Sequence, residues 1–425
     1  MVGAQRQPWG TGLVFLLTLK GFGCWRTLTA FRLFLNLLTQ GCRCAPTIGL
    51  ELANAFGVLP DETMTTNTTM RRKYSLHGRY VELVSSWDAV LEWSDLCLLP
   101  YLKIGNGRQR IAKIVCHYEV AETLTTNGER KSLRIHLQRE ADADVIDDHH
   151  FTLRTRQGVV YKVADDVIEI FYPDKTEDSL RDPARLCREL VYNSLPEGSW
   201  YHLHASAVAR NGKAIVFTGN GGAGKTTLVC RLLGNKYHNG MFDYVSNDEV
   251  WIDVSTQPMK IIGSPFPIRL GYGAMISTPE LAARLHLYKD HFQLINRDWK
   301  TKVHQYSVKE FTGFFGRKIC TEAEVSAIVQ LKPGQSHQLN AIESEVKKVD
   351  VIRQAARDSA DSYPNWMNIG KSPSERTGDD IVLSSVPCPV YELGFNPVDG
   401  QVSKAEQSLL RTLEEFSNQW IAKGR

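Results

Sequence analysis

Between residues 219 and 227 the chain reads Gly219-Asn220-Gly221-Gly222-Ala223-Gly224-Lys225-Thr226-Thr227, with four glycines followed by an ammonium group and two hydroxyls. Glycines let successive backbone N–H groups turn toward one anion, a lysine neutralises it, and the next hydroxyl is placed to ligate Mg2+. Gly219, Gly224, Lys225 and Thr226 match the spacing G-x-x-x-x-G-K-[ST], which makes the stretch a phosphate-binding loop for ATP with Mg2+, and Thr226 the expected metal ligand. That chemistry requires a strand before the loop and a helix after it. Ile215 to Thr218 is an apolar run, and Leu228, Val229, Leu232 and Leu233 recur at helical spacing, so the helix aims its N-terminal dipole at the same anion. A plain glycine turn between strand and helix is the simpler alternative.

Two further stretches bear chemistry. Upstream, Tyr201 to Arg210 alternates so that one strand carries His202, His204 and Ser206 on one face, and Asn211-Gly212 turns it tightly into Lys213 and the strand before the loop. A histidine on a strand is also a common packed or surface residue. Downstream, Asp243 to Asp253 ends one short apolar strand in Asn247-Asp248-Glu249 and begins another. A carboxylate at a strand end beside such a loop binds Mg2+ or acts on the nucleophile. Asp248 is the first choice and Glu249 the second, with a charged β-turn as the plain alternative.

The elements that must position these groups lie in a chain of 425 residues, long enough for two or more domains. Hydrophobic residues make up 43% and charged residues 23%, which disfavours a disordered or membrane-embedded bulk, and a net charge of +3 gives no reason to expect nucleic acid or a membrane surface as partner. The nine cysteines are scattered without metal-ligand spacing, the usage of a reducing cytoplasm; only Cys24 and Cys42-x-Cys44 hint otherwise.

Residues 1–73 form an atypical, acid-poor extension: the first 50 carry no Asp or Glu but include Arg6, Lys20, Arg26, Arg32 and Arg43. A poor secretory signal, an amphipathic targeting segment and sequence upstream of a true start at Met64 or Met70 all remain open, the last being favoured. Residues 74–175 alternate short β-like runs with polar turns and read as a small, mostly β domain with a helix around Trp87 to Leu99. Its acidic and histidine cluster, Asp142, Asp144, Asp147, Asp148, His149 and His150, reads as a solvated loop rather than a metal site. Asp182 to Asn193 reads as an amphipathic helix leading into a third region, 176–425, that holds the glycine loop. There Thr278 to Leu287, Glu343 to Arg357 and Lys404 to Trp420 read as helices, Val325 to Leu331 and Val390 to Leu393 as strands, and Ser359 to Asp380 as a long loop.

The succession His204-Ala-Ser-Ala-Val, turn, strand, Gly219-Asn-Gly-Gly-Ala-Gly-Lys-Thr226, helix, Val245-Ser-Asn-Asp-Glu-Val250 resembles the catalytic domain of the HPr kinase/phosphorylase family over about residues 200–270. The resemblance implies a P-loop, phosphoenolpyruvate-carboxykinase-like α/β fold over 176–425, with a mixed sheet around the loop and a small β domain before it. It implies that His204 assists catalysis, Lys225 holds phosphate, Thr226 ligates metal, and Asp248 serves as base or metal-side carboxylate. Members assemble as rings, which implies a homo-oligomer. The family's paired aspartates stand here as Asn247-Asp248, so one carboxylate is a neutral amide. Its Glu-x-Arg-Gly segment has only an echo in Pro265 to Gly271, where Arg269 is the phosphate-facing cation and the metal-binding glutamate is missing. HPr itself is therefore not the expected acceptor, and the chain reads as a divergent relative.

Two functions follow. In one, the γ-phosphoryl of ATP passes to a hydroxyl of a peptide, small protein or metabolite, with His204, Lys225 and Asp248 as catalytic groups. In the other, nucleotide is bound without transfer and the chain is an ATP-responsive partner protein. Asn247 favours the second; retained His204 and Asp248 favour the first.

Overall fold

The computed structural model describes residues 69–395 apart from 106, 121–127, 137–138, 148, 197–198, 235–241, 284–301, 334–337 and 358–385. The expectations for the acid-poor extension before residue 69, for Asp148, for the loop at 359–380 and for the closing helix at 404–420 lie outside the described residues, whereas the last four residues of that extension, 70–73, belong to the first strand. Two large sheets and few helices make up a mixed α/β chain.

The first sheet is built from β1 (Met70–Leu76), β2 (Arg79–Ser85), β3 (Lys103–Ile104), β4 (Gln109–His117), β5 (Glu129–His136), β6 (Arg139–Val145), β7 (His150–Thr155), β8 (Val160–Ala164) and β9 (Val167–Phe171), in the order β3-β1-β2-β4-β9-β8-β7-β6-β5. Two helices accompany it, α1 (Asp88–Leu98) and α2 (Glu177–Asn193). One core joins Leu83, Ile114 and Ile170 of the sheet to Leu91 and Leu98 of α1 and Leu186 and Leu190 of α2. Helix α2 starts five residues before the expected Asp182 and runs through Pro183, a residue type that usually marks a helix start. Its true start is a reciprocal cap: the Thr176 side chain accepts the Ser179 N–H at 3.3 Å, and Ser179 Oγ accepts the Thr176 N–H at 2.7 Å.

The second sheet follows with β10 (Trp200–Leu203), β11 (Ser206–Arg210), β12 (Lys213–Thr218), β13 (Asp243–Ser246), β14 (Val250–Asp253), β15 (Lys260–Gly263), β18 (Glu322–Pro333), β19 (Leu339–Ala341) and β20 (Val390–Phe395), while β16 (Ile268–Gly271) and β17 (Lys302–Tyr306) pair apart as a ribbon. The helices of this part are α3 (Lys225–Gly234), α4 (Tyr272–Ser277), α5 (Pro279–Ala282), α6 (Val308–Phe315) and α7 (Glu345–Arg357). The described part of the helix expected at 278–287 is the short α5. Strand order is β10-β14-β15-β18-β12-β11-β13, with β12 and β20 parallel to β18. Antiparallel β11 and β12 are joined through Asn211 and Gly212, both at positive φ (51° and 75°), the tight turn that their residue types require.

The expected single strand from Tyr201 to Arg210 is broken. β10 pairs with β14 at one end of the sheet, and β11 pairs with β12 and β13 near the other. The register is nonetheless continuous: Trp200 faces Asp253, Leu203 faces Val250 and Ala207 faces Ser246. The ladder opens in between because the His204 N–H donates to the Ala355 carbonyl of α7 at 2.8 Å, and because Asp248 opposite takes a left-handed φ of 67°. In a flat sheet the five strand spacings from β10 to β11 would amount to roughly 24 Å, whereas the link through His204 and Ala205 reaches roughly 10 Å. The sheet therefore curls until its two ends meet at this seam.

Two buried tyrosines tie the neighbouring strands down. Tyr101 Oη donates to the Val245 carbonyl at 2.5 Å, and Tyr192 Oη to the Gly263 carbonyl at 2.6 Å. Gly263 is required by close approach: a Cβ there would collide with the Val245 carbonyl oxygen and stand 2.5 Å from Tyr101 Cε1. No helix among the described residues is long and apolar enough to cross a membrane.

This packing yields a stability prediction. Tyr101→Phe leaves the buried Val245 carbonyl without its donor and lowers unfolding stability by about 1–3 kcal/mol, and Gly263→Ala lowers it by about as much or more through overpacking. Denaturant titration of both variants is the check, and changes below about 0.5 kcal/mol in both, the level of surface substitutions, would contradict the tie.

Candidate functional site

Strand β12, with Ile215, Val216 and Phe217 buried, delivers the chain to Gly219 at the sheet end. Gly219 has φ 136°, and a Cβ there would stand 2.6 Å from the Leu331 carbonyl oxygen of β18, so only glycine fits between the loop and that strand. The Ala223 N–H donates to the Asn220 carbonyl at 3.0 Å, folding the loop on itself, while Asn220, Gly221 and Gly222 remain exposed at its tip. The Lys225 side chain, 5% exposed, turns back into this fold: Nζ donates to the Gly219 carbonyl at 2.5 Å and lies 3.5 Å from that of Asn220.

Helix α3 begins at Lys225 itself, so its first-turn N–H groups, which have no intrahelical acceptor, belong to the loop. Leu228, Val229, Leu232 and Leu233 are buried and fix the helix on the sheet. At its other end Arg317 Nε donates to the Leu233 carbonyl at 2.8 Å, a cation at the negative pole of the dipole. Thr226 is partly exposed and Thr227 buried, so of the two hydroxyls Thr226 has the more open position.

Asp248 sits at the seam, after the C-terminal end of β13. Its N–H donates to Ser206 Oγ at 3.2 Å, and Ser206 Oγ donates to Asn247 Oδ1 at 3.2 Å. Ser206 faces Phe217 of β12, so this bond carries the Asp248 turn to the same end of the sheet as the glycine loop. A second serine holds the turn's other side: Ser246 Oγ donates to the Glu249 carbonyl at 2.5 Å and accepts the Ser264 N–H at 3.1 Å. Asp248 is partly exposed; Glu249 is buried, with Ser264 Oγ 3.3 Å from Oε2. The more accessible carboxylate of the pair is thus Asp248.

The expectation of His202, His204 and Ser206 on one strand face does not hold, because the strand ends at Leu203. His204 lies in the seam, partly exposed, bound through its backbone to α7. His202 is buried, its ring stacked on Trp251 with centroids 5.0 Å apart. Burial first, then His204 and Arg188, push its pKa down to about 3. Glu249 Oε2 is 3.9 Å from His202 Nε2, too long for a hydrogen bond, and burial outweighs it. Arg269 is exposed on β16, in the separate ribbon.

Sequence reading missed the buried charges of α2. Arg185 donates to Asp182 Oδ1 at 2.7 Å and lies 3.8 Å from Glu189, and the Arg188 guanidinium covers the Phe266 ring at 4.6 Å. Burial raises Glu189 to about 7, helped by Glu249 and Asp182 and opposed by Arg185 and Arg188. The i,i+4 spacing of Arg185 and Glu189 was the available signal. The acidic and histidine cluster also differs from expectation: Asp142 and Asp144 belong to β6, and Asp147 Oδ1 accepts the N–H groups of His149 and His150 in the turn to β7. Among the described residues no group of three or more His, Cys, Asp or Glu side chains is arranged to hold a metal ion.

His202 gives a pH test. The unfolded chain protonates this group below about 6.5 and the folded chain only near 3, so its contribution to stability is complete above 6.5 and is lost as pH falls toward 3. Relative to wild type, His202→Phe therefore gains stability as pH is lowered across that window. Denaturant titrations at several pH values read the difference, and one that stays constant contradicts a buried neutral imidazole.

Comparison with solved structures finds a likeness to the HPr(Ser) kinase/phosphatase from Coxiella burnetii, with 9% sequence identity and a TM-score of 0.29, covering 52% of this chain and 96% of that one. No protein-family model and no curated protein matches the sequence.

Proposed function

We propose that the chain binds ATP at the glycine loop and transfers its γ-phosphoryl to a hydroxyl of a peptide, small protein or metabolite. The observation that carries this reading is the joint placement, at one end of the curled sheet, of a glycine loop with Lys225 folded into it and of the partly exposed Asp248. The loop and the first turn of α3 offer N–H donors to phosphate oxygens, and Lys225 exchanges its two carbonyl contacts for them. Transfer of a phosphoryl group is mostly positioning and charge stabilisation, which fixed donors on a buried strand and helix supply without reorganising.

The oxygen donors of Thr226 and Asp248 are of the kind Mg2+ takes, alongside phosphate oxygens, and these two residues would hold the ion. When bound, it neutralises charge on the phosphates. Asp248 accepts the proton of the attacking hydroxyl, since Asn247 beside it has no basic oxygen, and His204 on the facing side of the seam orients phosphate or acceptor.

One observation favours a second reading, binding without transfer: the neutral amide of Asn247 next to Asp248 leaves a single carboxylate for both metal and base.

Lys225→Ala should weaken Mg-ATP binding at least tenfold, about 1.4 kcal/mol, in titration calorimetry; an unchanged affinity would refute the loop assignment. Asp248→Asn should abolish transfer of labelled γ-phosphate to hydroxyl acceptors, a loss of about 10²–10⁴ in rate, while ATP affinity stays within severalfold. Joint loss of affinity and turnover would mean that Asp248 acts through the metal and not as the base, and a wild type that transfers nothing to peptide or small-molecule acceptors leaves the binding reading in place.

A further inference from the structure

We propose that Asn247 donates a hydrogen bond to the terminal phosphate of the bound nucleotide and that Ser206 is the positioning residue that orients its amide; this deepens the nucleotide reading of the loop and rests on it. The Ser206 hydroxyl has one proton and is fully buried. The Asp248 N–H already donates to its oxygen at 3.2 Å, so the proton is free for Asn247 Oδ1, also at 3.2 Å. In this arrangement Oδ1 of the amide faces Ser206, and Nδ2, with two N–H donors, faces away from it.

Asn247 is 1% exposed, and among the described residues Nδ2 has no hydrogen-bond partner. A buried amide donor with nothing to donate to is destabilising, and native structures keep few of them without a use. Its natural complement is a group that only accepts, such as a phosphate oxygen. Strand β13 stands two places from β12 in the sheet, roughly 9–10 Å across, so a donor at its end lies beyond the loop and meets the far end of a phosphate chain rather than the phosphates cradled by the helix. A carboxylate at position 247 would repel that phosphate; the amide attracts it. Asn247 in this account is a neutral γ-phosphate reader beside the base Asp248.

The test compares Mg-ATP with Mg-ADP by calorimetry on the full chain. Wild type should prefer ATP. Asn247→Ala and the nearly isosteric Asn247→Leu should lose about tenfold in ATP affinity, as expected for a hydrogen bond to a charged group, with ADP affinity unchanged; Ser206→Ala should move the ratio the same way by a smaller factor. A merely structural role would weaken both nucleotides together. If Lys225→Ala weakens both nucleotides while the Asn247 and Ser206 variants keep the wild-type ATP-to-ADP ratio, the Asn247 proposal is overturned and the loop reading survives. If Lys225→Ala changes neither, the loop reading itself falls. Should the Asn247 variants fail to melt cooperatively, the Ser206→Ala ratio decides alone, an unchanged value overturning the proposal.

Discussion

The closure of the second sheet depends on a pairing that fails in the middle. Residues 200–207 run antiparallel to 246–253 in one register, which shifts by one residue after Ala207, and the ladder opens at His204–Ala205 and Asn247–Glu249, where backbone groups turn to α7 and to serine hydroxyls instead of to each other. A continuous ladder would have kept the two stretches as one flat ribbon. The break lets β10 and β14 leave one edge while β11 and β13 complete the other, and it presents the side chains of the seam at the end of the sheet where the glycine loop emerges. A left-handed Asp248 is tolerated there because Ser206 and Ser246 hold the turn from both sides.

How much of this was legible in the sequence depends on whether a feature is local. The strand, glycine loop and helix occupy about twenty consecutive residues, and their pattern carries its own geometry; Asn211-Gly212 likewise demanded the turn that it makes. The break after Leu203 was not legible, because the alternation of Tyr201 to Arg210 continues through it and only a carbonyl about 150 residues away in α7 diverts the His204 N–H. The same holds for His202: nothing near it in the chain announces Trp251 above its ring. The start of α2 was misplaced for a different reason: the apolar spacing of Leu186, Cys187, Leu190 and Val191 marks only its later turns, and the cap that starts it lies at Thr176 and Ser179.

The buried charges behind the site follow from the same construction. Closing the sheet against α2 places His202, Glu249, Arg188 and Glu189 in one region of low exposure, and burial there outweighs pairing, leaving an imidazole held neutral and a carboxyl raised toward neutrality. Asp248, one residue from the buried Glu249, is partly exposed. Of the two adjacent carboxylates, one is thus turned inside and the other is left accessible.

The central claim is that phosphates are held by the glycine loop and reach the seam. A crystal structure of the chain with Mg2+ and a non-hydrolysable ATP analogue tests it directly. The account predicts phosphate oxygens within hydrogen-bond reach of Lys225 Nζ and of the N–H groups between Gly221 and Thr226, with the terminal phosphate toward Asn247 and Asp248. Nucleotide bound elsewhere, with Lys225 still on the Gly219 carbonyl, would contradict it.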